Sequence, residues 1–239
     1  MSRDNEQSNP AAPADLNAPM LSPAAWVRSI PFLVYIFFIV VVDLLGRLGF
    51  SDAQLRWMYA VKIVAVSVTL LMFWRHYTEL HHWRMSPIWT GIAVLVGIIV
   101  FVVWINFSSG WLLIGSPAGF DPRTNGQIDW LMVAVRIGGA ALVVPVMEEL
   151  FWRSFLMRWI DASNFQSVAP AAVRLQSVLI ASVLFGFEHN QWFAGVLAGL
   201  AYSFLYMRQA SLWPAVLAHG VTNGLLGAWV VHSGQWTYW

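Results

Sequence analysis

The chain is 239 residues long, 59% of them hydrophobic and only 10% charged, with a mean hydropathy of +0.63. A soluble domain carries roughly 25% charged residues because its surface must be wetted; this composition excludes such a globule and points to an integral membrane protein. The net charge of +1, with basic residues scattered, gives nucleic acid no phosphate track, and the absence of cysteine excludes disulfides, thiolate metal sites and a cysteine nucleophile.

Residues 1–27 predict a disordered cytoplasmic tail: the opening stretch is polar, rich in Ala, Pro and Asn, and has no cleavable signal peptide. A bilayer core of ~30 Å needs about 20 apolar residues per helix. Three such helices are expected over about 30–48, 55–74 and 88–107, which makes 28–107 an N-terminal three-helix membrane region. Residues 108–127, with Ser-Pro-Ala-Gly-Phe-Asp-Pro and Thr-Asn-Gly, predict an extramembrane loop. The remainder, 128–239, predicts a second helical core with a long segment at about 128–160 and others at 173–188, 191–208 and 213–232. The expected fold class is all-α: a polytopic membrane helical bundle of about seven transmembrane helices, or eight if Pro145 divides the long segment. Gly195/Gly199 and Gly220/Gly224 set small residues four apart, as close helix approach in lipid requires.

Charge bias favours seven. Seven spans put Arg3, Arg28, Arg75, Arg84, Arg158, Arg174 and Arg208 on one side, against Arg47, Arg56 and Arg123 on the other. The richer side is expected to be cytoplasmic, with the N-terminus there.

An ionisable group at mid-bilayer costs at least ~2.5–3.5 kcal/mol, so such residues have a task or a partner. In Pro145-Val-Met-Glu148-Glu149-Leu-Phe-Trp-Arg153, Glu149 and Arg153 stand one turn apart, in the order that favours an ion pair. Glu148 points ~140° away from Arg153 and is left for another partner. His189 ends the next apolar segment one turn after Phe185, and Glu188 beside it reads as an interfacial bystander. His219 and Asn223 share one face of the last segment. A free glutamate and a histidine can hold and deprotonate a water. A second histidine and an asparagine can donate to the oxygen of a tetrahedral intermediate. The same residues offer a metal alternative, because Glu148, His189 and His219 supply a carboxylate and two imidazoles, as at catalytic zinc. No HExxH sequence is present, and the residues alone leave the two uses open.

Glu-Glu-x-x-x-Arg, then Phe-x-x-x-His, then His-x-x-x-Asn, in that order on successive apolar segments, resembles the CPBP intramembrane protease family. This family holds the type II CAAX prenyl endopeptidases and bacteriocin-processing enzymes, also called the Abi domain. The resemblance covers about 128–232. It implies a helical fold around a water-filled cavity, with Glu148 and His189 activating water, His219 and Asn223 forming the oxyanion site, and Glu149, Arg153 and Phe185 supporting them. It further implies an endopeptidase acting on a membrane-associated protein or peptide, with no cofactor expected and zinc as the alternative. The Val-Pro-Val-Met-Glu-Glu-Leu-Phe-Trp-Arg stretch and the closing Gly-Gln-Trp-Thr-Tyr-Trp are similar to a bacterial subgroup, the CAAX prenyl protease-related proteins that accompany exosortase and PEP-CTERM sorting systems. That likeness implies a multi-pass inner-membrane protein with sorting-system partners. Two other classes compete with the protease reading. A non-enzymatic immunity or sorting accessory would keep the site as scaffold, and a proton-coupled transporter would show inverted repeats, which this sequence lacks.

The Arg distribution predicts that reporters fused after Trp239 and before Met1 respond from opposite sides of the membrane. Two reporters responding from the same side would require an even number of spans.

Overall fold

A computed structural model describes residues 21–83, 85–115 and 119–239. The expected tail falls outside it as far as residue 20. Beyond that point the first helix starts sooner than residue 30. α1 is Pro23–Arg47, because Ser22 caps it by accepting from the Ala25 amide and Pro23 takes the first turn, where no amide partner is needed. α2 is Asp52–Met72, interrupted at Arg56 and Trp57. α3 is Pro87–Asn106, opened in the same way by Ser86 and Pro87. The connection that follows holds a two-stranded antiparallel hairpin, β1 (Arg123–Thr124) and β2 (Gln127–Ile128), and Asp129 then caps α4, Trp130–Asp161. α5 (Leu175–Phe187), α6 (Trp192–Gln209) and α7 (Trp213–Ser233) complete the bundle.

Among the described residues each expected segment forms a helix and the long segment is undivided, but not all seven qualify as the transmembrane helices expected. Five (α1, α2, α3, α4 and α7) are long and apolar enough to cross a membrane. α5 has 13 residues and reaches only about 20 Å at 1.5 Å per residue. α6 carries Tyr202, Ser203, Tyr206 and Arg208 among its apolar residues. The two pack against each other as a hairpin, with α5 against α4 and α6 against α7 and α3. Around this centre the outer surface is apolar: Phe37, Leu71, Ile88 and Leu142 are each at least 60% exposed. Only a lipid environment tolerates that. The protein is a multi-pass membrane protein.

Pro145 does not divide α4, and the reason is local. A proline lacks the amide of its own turn and strikes the carbonyl four residues back. The helix widens to a π turn over Gly139–Val143, immediately ahead of it, which opens room for the ring. In a π turn the Ala140 carbonyl seeks the amide of residue 145, which is missing. Asn223 Nδ2 of α7 donates to that carbonyl at 2.9 Å. A second π turn covers Leu150–Leu156, so Glu148 and Glu149 lie on the short α-helical stretch between the two.

The small residues act as expected. A Cβ on Gly220 would lie 2.7 Å from the Ala141 carbonyl oxygen, and one on Gly199 would lie 2.9 Å from Ser182 Cα. α7 and α6 therefore approach α4 and α5 at backbone distance, which brings polar side chains of different helices within reach.

At the end of the bundle where α1 begins, Arg28 is buried and donates from Nε and Nη2 to the two Glu79 oxygens, each at 2.8 Å. Ser154 of α4 donates to Glu79 Oε1 as well. Burial alone would raise the Glu79 carboxyl, but the Arg28 bonds and charge, with the Ser154 bond, outweigh it and hold the group below its usual 4.5. A depressed carboxylate contributes stability that is complete above its unfolded value and is lost as pH falls through the folded one. The tie between α1, the α2–α3 connection and α4 is therefore expected to weaken below about pH 4.5. Melting curves across pH check this: Glu79→Gln should melt lower at neutral pH and show less of the acid-induced fall.

Candidate active site

Three helices supply the residues singled out by sequence. α4 carries Glu148, Glu149 and Arg153; α7 carries His219 and Asn223; the end of α5 carries Phe185, with His189 in the turn that follows. Glu149 is the junction. Its Oε1 accepts from Arg153 Nη1 at 3.2 Å, one helical turn on, and from His219 Nδ1 at 2.9 Å across the α4–α7 interface. Glu149 and Arg153 are 0% and 1% exposed, so neither charge has water to fall back on and each depends on the other. Arg153 also donates from Nη2 to the Gly199 carbonyl at 3.4 Å and lies over the Phe185 ring at 4.4 Å. The His219 ring stacks on Tyr202, centroids 5.0 Å apart and planes at 17°, and the Tyr202 hydroxyl donates to Thr222 Oγ1 at 2.8 Å. The imidazole is thereby fixed in position and direction.

Its other nitrogen, Nε2, points to Glu148 Oε2 at 3.8 Å. That is too long for a hydrogen bond. Glu148 Oε2 and Glu149 Oε2 are buried and meet no hydrogen-bonding partner among the described residues. Buried carboxylate oxygens without a donor are rare, and each calls for a physical reason. His189 donates from Nδ1 to the Phe185 carbonyl at 2.8 Å, since a carbonyl can only accept. A neutral ring held in this way carries its lone pair on Nε2. His189 is half-buried, edge-on to Trp104 at 5.2 Å and 4.9 Å from the Phe185 ring.

The structure gathers Glu148, Glu149, Arg153 and His219 into one contact group, with Phe185 against Arg153 and both histidines. His189 joins through Phe185 and makes no hydrogen bond or ion pair to Glu148. Three expectations change. Glu149 holds His219 as well as Arg153, because His219 projects from α7 on the side facing the i,i+4 pair. Asn223, expected to be free as a donor, has its amide nitrogen on the Ala140 carbonyl, which Pro145 leaves without a partner. Glu188 is no bystander: its Oε2 accepts from Trp152 Nε1 at 3.1 Å, tying the His189 turn to α4 one turn below Glu148. The sequence also gave no weight to Tyr202 and Thr222. Thr222 lies inside the His219–Asn223 spacing, and Tyr202 is a tyrosine in an apolar helix; only the packing of α6 on α7 pairs them. The cavity expected around the carboxylates is closed, with Glu148 and His219 each 4% exposed. A cavity of about 290 Å³ lies instead at the α1 end of the bundle.

The zinc alternative required Glu148, His189 and His219 to converge as ligands. Among the described residues no three His, Asp or Glu side chains are grouped closely enough to hold a metal ion.

The two π turns, the buried Glu-Glu-x-x-x-Arg and the histidine facing it form a buried polar centre between α4 and α7. Residues 130–225 match the family model described as Rce1-like, type II CAAX prenyl endopeptidase Rce1-like. Over these residues the chain is similar to the CAAX-protease (CPBP) family, a family of peptide hydrolases. Comparison with curated proteins and with solved structures gives no match.

Removing one partner of a buried ion pair strands the other charge and typically costs ~3–5 kcal/mol. Glu149→Gln and Arg153→Leu are each expected to lower the melting temperature strongly, whereas Glu148→Gln, whose Oε2 has no partner to lose, should melt near wild type. Equal losses from Glu148→Gln and Arg153→Leu would make the two carboxylates a single structural cluster.

Proposed function

We propose that the protein is an intramembrane endopeptidase that hydrolyses a peptide bond of a membrane-associated protein, with Glu148 and His189 activating the water. The observation that carries this reading is the buried Glu148 Oε2, without a donor and 3.8 Å from His219 Nε2. A water donating to Glu148 and accepted by the His189 Nε2 side of the site would lose a proton to Glu148 as its oxygen attacks the carbonyl carbon. The negative oxygen then formed would meet His219, which donates from Nε2 while Nδ1 stays on Glu149. The Glu149 carboxylate stabilises the doubly protonated ring, and Arg153 balances the second negative charge. Asn223 has one further amide hydrogen for the same oxygen, the other being held by Ala140. Glu148 returns its proton to the amide nitrogen, the C–N bond breaks, and the products are a new carboxyl end and a free amine. Glu149, Arg153 and Phe185 act by positioning.

No metal takes part in this scheme. The orientation that goes with it places the N-terminus in the cytoplasm of a bacterial inner membrane, on the arginine bias described above. The likeness to the sorting-associated subgroup supports substrates or partners among sorted, membrane-anchored proteins.

The deciding experiment incubates purified protein with co-expressed membrane proteins and reads new peptide termini. Glu148→Gln should reduce them by ~10²–10⁴-fold, the usual worth of a general base. Termini identical in wild type and Glu148→Gln would favour the accessory reading. Cleavage should also persist in protein shown metal-free by elemental analysis. Activity that leaves with the metal and returns with stoichiometric zinc would make the enzyme a metalloprotease.

A further inference from the structure

We infer that the cavity at the α1 end of the bundle is a binding site for a phosphate group, presented by the headgroup of an anionic phospholipid. The inference is independent of the protease reading: the cavity lies on the Arg158 side of α4, ten residues and about 15 Å of helix from Glu148. Arg28, Thr78, Glu79, Arg158, Tyr206 and Ser211 line it, from α1, the α2–α3 connection, α4, α6 and the α6–α7 turn. Every connection on this side of the bundle converges on one space of about 290 Å³. A water takes ≈30 Å³ of liquid, so a tetrahedral anion with attached atoms fits.

The charge in it is unbalanced. Glu79 is fully used, with both oxygens on Arg28, one also on Ser154 and the other also on the Thr78 hydroxyl, so that pair is neutral. Arg158 is held by three carbonyls and one hydroxyl. Its Nε donates to Val168 at 2.8 Å, Nη1 to Ser154 at 3.3 Å and Nη2 to Gln166 at 3.1 Å, and the Tyr206 hydroxyl lies 3.5 Å from Nη1. Carbonyls orient a guanidinium without cancelling its charge, and among the described residues no carboxylate pairs with it. His82 adds a further nitrogen to the lining. The hydroxyls of Tyr206 and Ser211 are the donors a phosphate oxygen accepts from, while that of Thr78, at the rim, donates to Glu79 Oε2 at 3.4 Å. A cation fixed in place beside two hydroxyls, in a partly open space, is the chemistry that selects a phosphate.

Position identifies the source. The cavity is walled by helix ends, and beside it the half-exposed Trp83 packs on Trp213, ring centroids 5.0 Å apart. Such aromatics mark the headgroup level of a bilayer, and basic pockets between helices on the cytoplasmic side are where anionic headgroups bind. Free phosphate shares the chemistry but not the position.

The test measures the melting temperature of the detergent-solubilised full chain against added phosphatidylglycerol, phosphatidylcholine or inorganic phosphate. Phosphatidylglycerol should stabilise at lower concentration than the zwitterionic lipid. Arg158→Gln should raise the concentration required about fivefold, the worth of one basic residue near an anionic headgroup. Should Arg158→Gln fail to fold, Thr78→Glu decides the matter alone: Thr78 is exposed, and a carboxylate there should repel the lipid by a similar factor. Stabilisation by inorganic phosphate that competes with phosphatidylglycerol and is lost in Thr78→Glu would keep the phosphate site and reassign its source. Equal stabilisation by the two lipids, or a phosphatidylglycerol response unchanged in Thr78→Glu, overturns the inference.

Discussion

A carboxylate with no water around it must be neutralised by the protein, and Glu149 is neutralised from two directions at once. Arg153 reaches it along α4 and His219 reaches it across the α4–α7 interface, both to the same oxygen. This junction fixes more than a charge. It sets the rotation of α4 relative to α7 and pins one nitrogen of His219, so the other must face Glu148. Arg153 extends the tie to the Gly199 carbonyl on α6 and to the Phe185 ring on α5. Four helices of the C-terminal half are thus held by contacts that begin at one buried oxygen. In a bilayer, where apolar side chains gain little by leaving lipid, such polar ties and close packing are what give helices a unique arrangement.

The same economy governs the backbone. Pro145 removes an amide from the middle of a long membrane helix, where an orphaned carbonyl has no solvent to bind. The π turn at Gly139–Val143 accommodates the ring and Asn223 supplies the missing donor to Ala140. The defect in α4 therefore becomes an anchor for α7. Asn223 stands one turn from His219, so the bond that repairs the proline also holds the histidine in depth and rotation. Structural repair and site assembly are one interaction here.

The two ends of the bundle answer the cost of burying charge in opposite ways. Around Glu149 the negative and positive groups meet at hydrogen-bond distance, and the space between the helices is filled by Phe185 and Tyr202. At the α1 end the Arg28–Glu79 pair closes on itself while Arg158 keeps its charge beside an open space. The first arrangement pairs its charges and orients an imidazole. The second leaves an attractive field for an anion at the level where lipid headgroups lie.

Much of this was legible in the residues. Composition decided for the membrane, segment lengths gave seven helices with ends close to those observed, and the i,i+4 spacing of Glu149 and Arg153 gave their ion pair. These properties are local: they depend on one stretch of chain and on the 3.6-residue turn. Capping by Ser22 and Pro23 was equally local, although the apolar count placed the start of α1 too late. What the sequence could not order was the choice among partners separated by 17 to 83 residues. The selection of Glu149 rather than Glu148 by His219, the use of Asn223 on a carbonyl freed by Pro145, the stacking of Tyr202 and the bond from Trp152 to Glu188 all depend on helix rotation and depth. Rotation and depth are set by backbone approach at Gly199 and Gly220 and by two π turns that shift the register of α4. Those are properties of helices packed together, and only the tertiary structure decided them.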